Sequence, residues 1–194
     1  MKKIITTIIF ILLSFVSYTQ EYTIDYNKMP YQNYISLKKL LPNATNNNFS
    51  EFLFDLAFRE SNGDWTATNG DHIGLWQLGS SARHDIGKYI TGIDFFDTET
   101  FYTNPEIFPP KSQKIAISYY IMIIERRLSN HIDKYQGKII NDIYITKSGI
   151  IAAGHLIGVE NIKKYLDSGG QNIKKDGLNT SLEEYLILYN DYIF

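Results

Sequence analysis

The chain has no cysteine in 194 residues, so neither disulfides nor a lipid-bearing cysteine can hold or anchor it, and its stability must come from a packed core. A basic excess is also missing. Lys and Arg number 19 against 21 Asp and Glu, a formal net charge of −2, which excludes a nucleic-acid footprint and a cationic surface that gathers anionic polymers by bulk charge. The four histidines have no metal-ligand spacing, and neither a phosphate loop nor a Ser-His-Asp pattern occurs, so no metal and no cofactor is expected. Internal repeats, low-complexity tracts and long linkers are absent as well.

The apolar run from Ile4 to Val16 is shorter than the roughly 20 residues a membrane span needs. Preceded by Lys2 and Lys3 and followed by the small residues Ser17 and Thr19, it has the layout of a signal peptide cleaved before Gln20. That predicts a secreted or periplasmic protein with no membrane span after processing. Loss of Lys2 and Lys3 takes the basic count from 19 to 17 against 21 acids, near −4. The expected organisation is a signal peptide over 1–19, a lead-in over 20–47 and one domain over 48–194.

What is abundant is aromatic: 15 Tyr and 11 Phe, which suit sugar-stacking surfaces and an aromatic core equally well. The pattern of caps and breakers predicts a mainly α fold. A short helix over 35–41 precedes Pro42, and a second starts from Asn48 or Ser50 and runs to Glu60. Residues 61–79 carry four glycines and predict loops or a small hairpin. Ser80 or Ser81 caps a helix to about Tyr89, and Pro109 and Pro110 open another. Its apolar stretch from Ile115 to Ile124 predicts the central core helix. Thr146 or Ser148 caps the block "GIIAAGHLIG", a helix covers Glu160 to Leu166, and Thr180 with Glu183 has capping-box spacing for the last helix.

One residue conflicts with its surroundings. Phe49, Phe52, Leu53, Leu56 and Ala57 step along one helix face, and the next position in that series is Glu60. Glu51, Asp55 and Arg59 form the opposite stripe and are expected to face water. A carboxyl turned inward at a helix end loses solvation, which favours its protonated form and suits a general acid. A buried Glu paired with a distant cation is the alternative.

The stretch "ES" at 60–61 followed by "GLWQ" at 74–77 resembles the Glu-Ser and Gly-Leu-Met-Gln pattern of soluble lytic transglycosylases and goose-type lysozymes. The segment "NPEIFPPKSQKIAISYY" is similar to the helix entry of these lysozyme-like domains, and "ITKSGIIAAGHLIGVENIKKYLDSGG" with "DGLNTSLEEYL" to the closing helices of bacterial muramidase-like proteins. The resemblance covers about residues 48–192. It implies a lysozyme-like helical domain with a small irregular or hairpin insertion after the catalytic helix. The implied activity is cleavage of the MurNAc-GlcNAc strand of peptidoglycan, hydrolytic or of lytic-transglycosylase type, with Glu60 as general acid.

Further roles follow from the same resemblance, each with a structural alternative. Ser61 would bond Glu60 or substrate, or only cap the helix. Gln77 would hold a sugar or the acid, or lock its loop; Trp76, in place of the family's Met, would stack on a pyranose ring or pack in the core. The family's Ala-Tyr-Asn-Ala-Gly motif is replaced by Ala152-Ala153-Gly154-His155-Leu156, so its tyrosine is missing and His155 would be a polar contact in the cleft or a satisfied core residue. Asp64, Asp71 and Asp176 are turn residues by position, and Asp71, just before "HIGLWQ", is the candidate second carboxylate. Peptidoglycan strands are the implied partner, an immunity or inhibitor protein would suit such an enzyme, and a monomer is expected. A wall-binding module that keeps the cleft without catalysis is the competing expectation.

Overall fold

The computed structural model describes residues 28–194 except 46, 91–96 and 176–178, so the signal peptide, residues 20–27 and 46 of the lead-in and Asp176 lie outside the described residues. Among the described residues the chain is mainly helical. Helices α1 (Tyr31–Leu40) and α2 (Phe49–Ser61) precede a two-stranded hairpin of β1 (Thr68–Asn69) and β2 (His72–Ile73). Next come α3 (Ser80–Gly87), α4 (Thr98–Thr103), a 3-10 turn at Pro105–Ile107 and the long α5 (Pro110–Tyr135). A second hairpin, β3 (Ile139–Ile140) and β4 (Ile143–Tyr144), leads into α6 (Lys147–Ile157), α7 (Val159–Asp167) and α8 (Leu182–Leu188). Both hairpins are antiparallel, and the first pairs Thr68 with Ile73 across a turn at Gly70 and Asp71. Gly70 has φ +57, the positive value that the first turn position of a type II′ hairpin requires.

The start and stop of α2 follow from local chemistry. Asn48 is the N-cap, its side chain accepting from Glu51 N at 3.0 Å, while the Glu51 carboxylate accepts from Asn47 N at 2.5 Å. At the other end Asn62 and Gly63 take φ +54 and +71, the left-handed geometry that terminates a helix. Pro109 and Pro110 open α5 and Thr146 caps α6, as expected, whereas α8 is capped one residue later than expected, by Ser181 accepting from Glu184 N.

Two expectations about faces are corrected. The most enclosed helix is α6, whose residues Ser148–Gly154 are all buried, and α5 is amphipathic instead: Ile115, Tyr119 and Met122 of its apolar run are exposed. Small residues make the difference. A Cβ on Gly149 would lie 2.8 Å from the Leu186 carbonyl oxygen, and one on Gly154 would lie 3.0 Å from Ile124 Cγ2, so α8 and α5 close onto α6 only because both positions lack side chains.

The second correction concerns Asp55, which does not face water. It is buried and accepts a hydrogen bond from the Tyr192 hydroxyl, because the chain after α8 folds back over α2. Ile193 N donates to Asn47 O at 2.8 Å, and Phe194 packs on Phe49 and Phe52 at centroid distances of 5.0 and 4.9 Å. Tyr189 and Tyr192 complete an aromatic cluster on Phe52, so this share of the Tyr and Phe content serves the core. Arg59 is exposed, as expected, and forms an ion pair with Glu184 of α8. Among the described residues no helix is long and apolar enough to cross a membrane.

Candidate functional site

Glu60 opens onto a cleft of about 660 Å³. One wall is the first hairpin, Asn69–His72, with Gln77 behind it; the other is the C-terminal end of α6, from His155 to Ile157, with Asn161 of α7. Lys174, Lys175 and Thr180 close one end, and Tyr185 of α8 reaches the acid.

The inward register of Glu60 is thus the direction of the cleft. Its side chain is 15% exposed, and its Oε1 accepts a hydrogen bond of 2.7 Å from the Tyr185 hydroxyl. Burial first, and then the neighbouring Glu60 carboxylate, hold the Tyr185 phenol far above the usual tyrosine range, so it keeps its proton and acts as the donor.

His155 approaches the same oxygen, with Nε2 3.8 Å from Oε1 and its side chain 5% exposed. Burial, aided by His72, brings its imidazole down to about 4, so near neutral pH the contact is between a carboxyl group and a neutral ring. Its Nδ1 is buried with no hydrogen-bond partner among the described residues, and the Tyr120 ring meets it edge-on at 5.9 Å. His155 therefore lines the cleft and is also packed into the core.

Asp71 lies on the rim of the cleft with its side chain 53% exposed, but its carboxylate has another task. Oδ2 accepts from Ser80 N at 2.7 Å, capping α3 from outside, and Oδ1 is 3.5 Å from the Arg83 guanidinium. These contacts, the Ser80 bonds foremost, hold its carboxyl below the usual range, which makes it a weaker base than a free aspartate. Asp64 accepts from Thr66 N and Oγ1 and does not line the cleft.

Two of the expected binding residues are structural. Trp76 is 1% exposed and donates Nε1–H to the Leu53 carbonyl at 2.8 Å, so it packs beneath the site and does not line it. Ser61 Oγ lies 3.0 Å from the Ala57 carbonyl and 2.9 Å from the Leu75 carbonyl, with one proton to share; it fastens the loop to the helix end and does not bond Glu60. Gln77 does line the cleft, yet its amide donates to Gly74 O at 2.9 Å and Ala67 O at 3.3 Å, and its backbone takes φ +44. It locks the loop and faces the cleft at once.

The strongest loop anchor is Gln113 of α5, 1% exposed. Its Oε1 accepts from Leu75 N at 2.7 Å, and its Nε2 lies 2.8 Å from both the Trp65 and Phe108 carbonyls. Gly74 makes room for it with φ +75, since a Cβ there would stand 2.4 Å from Gln113 Oε1. Gln113 and Tyr185 were not among the expected site residues. Tyr185 falls at core spacing between Leu182 and Leu186, and nothing local signals that its hydroxyl reaches Glu60.

Among the described residues no group of three or more His, Asp or Glu side chains is arranged to hold a metal. Comparison with protein-family models, curated proteins and solved structures gives no match in any of the three.

Proposed function

We propose that this protein cleaves the glycan strand of peptidoglycan, with a lysozyme-like site in which Glu60 protonates the leaving glycosidic oxygen. The observation that carries this is the position of Glu60: a carboxyl at the C-terminal end of a helix, facing a cleft of about 660 Å³ and oriented by a phenol at 2.7 Å. The likeness of "ES" and "GLWQ" to soluble lytic transglycosylases and goose-type lysozymes supports the substrate class. In the reaction the Glu60 proton passes to the bridging oxygen as the C1–O bond breaks and positive charge spreads over the ring oxygen. The carboxylate left behind stabilises that charge, and Tyr185 keeps it in plane.

Of the two carboxylates that line the cleft among the described residues, Asp71 already serves the α3 amide and Arg83, which favours the single-acid route. There the muramic 6-hydroxyl attacks C1 and returns its proton to Glu60, so no water is consumed and the product is an anhydro sugar. Mass spectrometry of fragments released from purified peptidoglycan tests this. Anhydro ends, lighter than hydrolysed ends by one water, are the expected result. Reducing ends would assign a hydrolase instead, and binding to the wall without any released fragment would leave a binding module.

A further inference from the structure

A second concavity, of about 850 Å³, runs between α1 and the first turns of α5 and shares no lining residue with the cleft. Its apolar surface comes from Leu40, Pro109, Pro110, Ile115 and Tyr119. Ile115 and Tyr119 are 48% and 38% exposed, and Met122, 61% exposed, extends the row at helical spacing. Single exposed apolar side chains are ordinary; a row of them beside a groove is the mark of an interaction surface.

Among the described residues the charges that line this groove are of one sign. Lys39, Lys111 and Lys114 line it and no described acid does, on a chain whose acids outnumber its bases. Lys114 Nζ donates to the Leu40 carbonyl at 3.0 Å, which fixes its charge against the groove. Lys111 and Lys114 also stand in the first turns of α5, where the helix dipole is already positive, and the first turn has no acidic residue to offset them. Like charges gathered over apolar surface are unfavourable in the isolated chain and become favourable once an anion arrives.

We propose that this groove docks an acidic segment of a partner protein, seating one aromatic or aliphatic side chain against Leu40, Pro109 and Ile115 while flanking carboxylates meet Lys39, Lys111 and Lys114. The concave shape favours an inserted side chain over a lipid surface, which is met by protruding apolar groups, and the volume suits several side chains. Because the groove and the cleft are lined by different residues, the partner leaves Glu60 accessible.

The test uses a fluorescein-labelled peptide, Glu-Asp-Trp-Glu-Leu-Asp, titrated with the full chain by anisotropy. A Gln/Asn analogue lacks its charge, and an analogue with Ser for Trp and Leu lacks its anchors. The acidic apolar peptide should bind about tenfold more tightly than either analogue, and its affinity should fall as salt rises. Lys39→Glu with Lys111→Glu, and separately Ile115→Asp, should each weaken it by about tenfold with unchanged melting temperature. Equal binding of the uncharged analogue, or full binding by the charge-reversed chain, would overturn the proposal. So would attachment to phosphatidylglycerol vesicles through the same lysines by a chain that ignores the peptide.

Discussion

Two carboxylates of α2 each receive a tyrosine hydroxyl from the C-terminal part of the chain, Asp55 from Tyr192 and Glu60 from Tyr185. Their surroundings differ. Asp55 is sealed under Tyr192 and the aromatic cluster, whereas Glu60 stands at a cleft with a neutral imidazole beside it. An acid–phenol pair is in itself a fastening between α2 and the segment that covers it. It gains a chemical use only where the acid also faces space that a ligand can enter.

The sharpest way to break this comparison is to convert first one acid and then the other to its amide. Glu60→Gln should lower fragment release by at least about 10²-fold, the usual scale for a general acid, while the melting temperature stays near the parent's. Asp55→Asn should release fragments at nearly the parent rate. Equal turnover in the two variants would take Glu60 out of the chemistry.

The second expected effect lies on the buried side. Asp55→Ala strands the Tyr192 hydroxyl and opens space under the aromatic cluster, and should cost about 3 kcal/mol in urea unfolding. A loss below about 0.5 kcal/mol would show that the tail holds without this pair.

His155 neighbours only one of the two acids and sharpens the contrast through pH. The folded histidine titrates at about 4 and an unfolded one near 6.5, so between these values the unfolded chain binds the extra proton. Stability should therefore fall as pH drops from about 6.5 towards 4, by up to roughly 3 kcal/mol, and His155 should contribute no pH dependence above that window. Melting curves across that range should have a shallower acid slope for His155→Gln than for the parent. An identical slope would mean that the imidazole is not held neutral.

The smallest effect separates the two phenols. Tyr185→Phe and Tyr192→Phe should each cost about 1 kcal/mol of stability, but only Tyr185→Phe should also slow turnover, by about tenfold. Paired assays of melting and fragment release distinguish them.

The local chemistry of α2 was legible in the sequence: its Asn48 cap, its stop at Asn62 and Gly63 and the inward register of Glu60 depend on neighbours within a turn or two. What was not legible depends on distant segments. Asp55 occupies a stripe that would face water if nothing covered it, and the covering residues, Tyr192 and Phe194, come from far along the chain. That α6 and not α5 is the most enclosed helix has a related reason: hydropathy favours the Ile-rich run, while enclosure depends on the small residues of α6 that let neighbours approach. Asp71 lines the cleft and Trp76 packs beneath it, but their partners, Ser80 N and the Leu53 carbonyl, are contacts that residue type alone does not specify.

The Glu60–Tyr185 bond joins residues 125 positions apart, and the Asp55–Tyr192 bond joins residues 137 apart. A chain synthesised from its N-terminus therefore exposes Glu60 long before the phenol that orients it exists, and loop closure over such separations is slow compared with helix formation. The cleft is thus a late product of folding. Ribosome-stalled chains halted before Tyr185 should release no fragments from peptidoglycan, while chains extended past Phe194 by a linker should. If so, the order of synthesis keeps a wall-cleaving activity silent until nearly the whole domain is made.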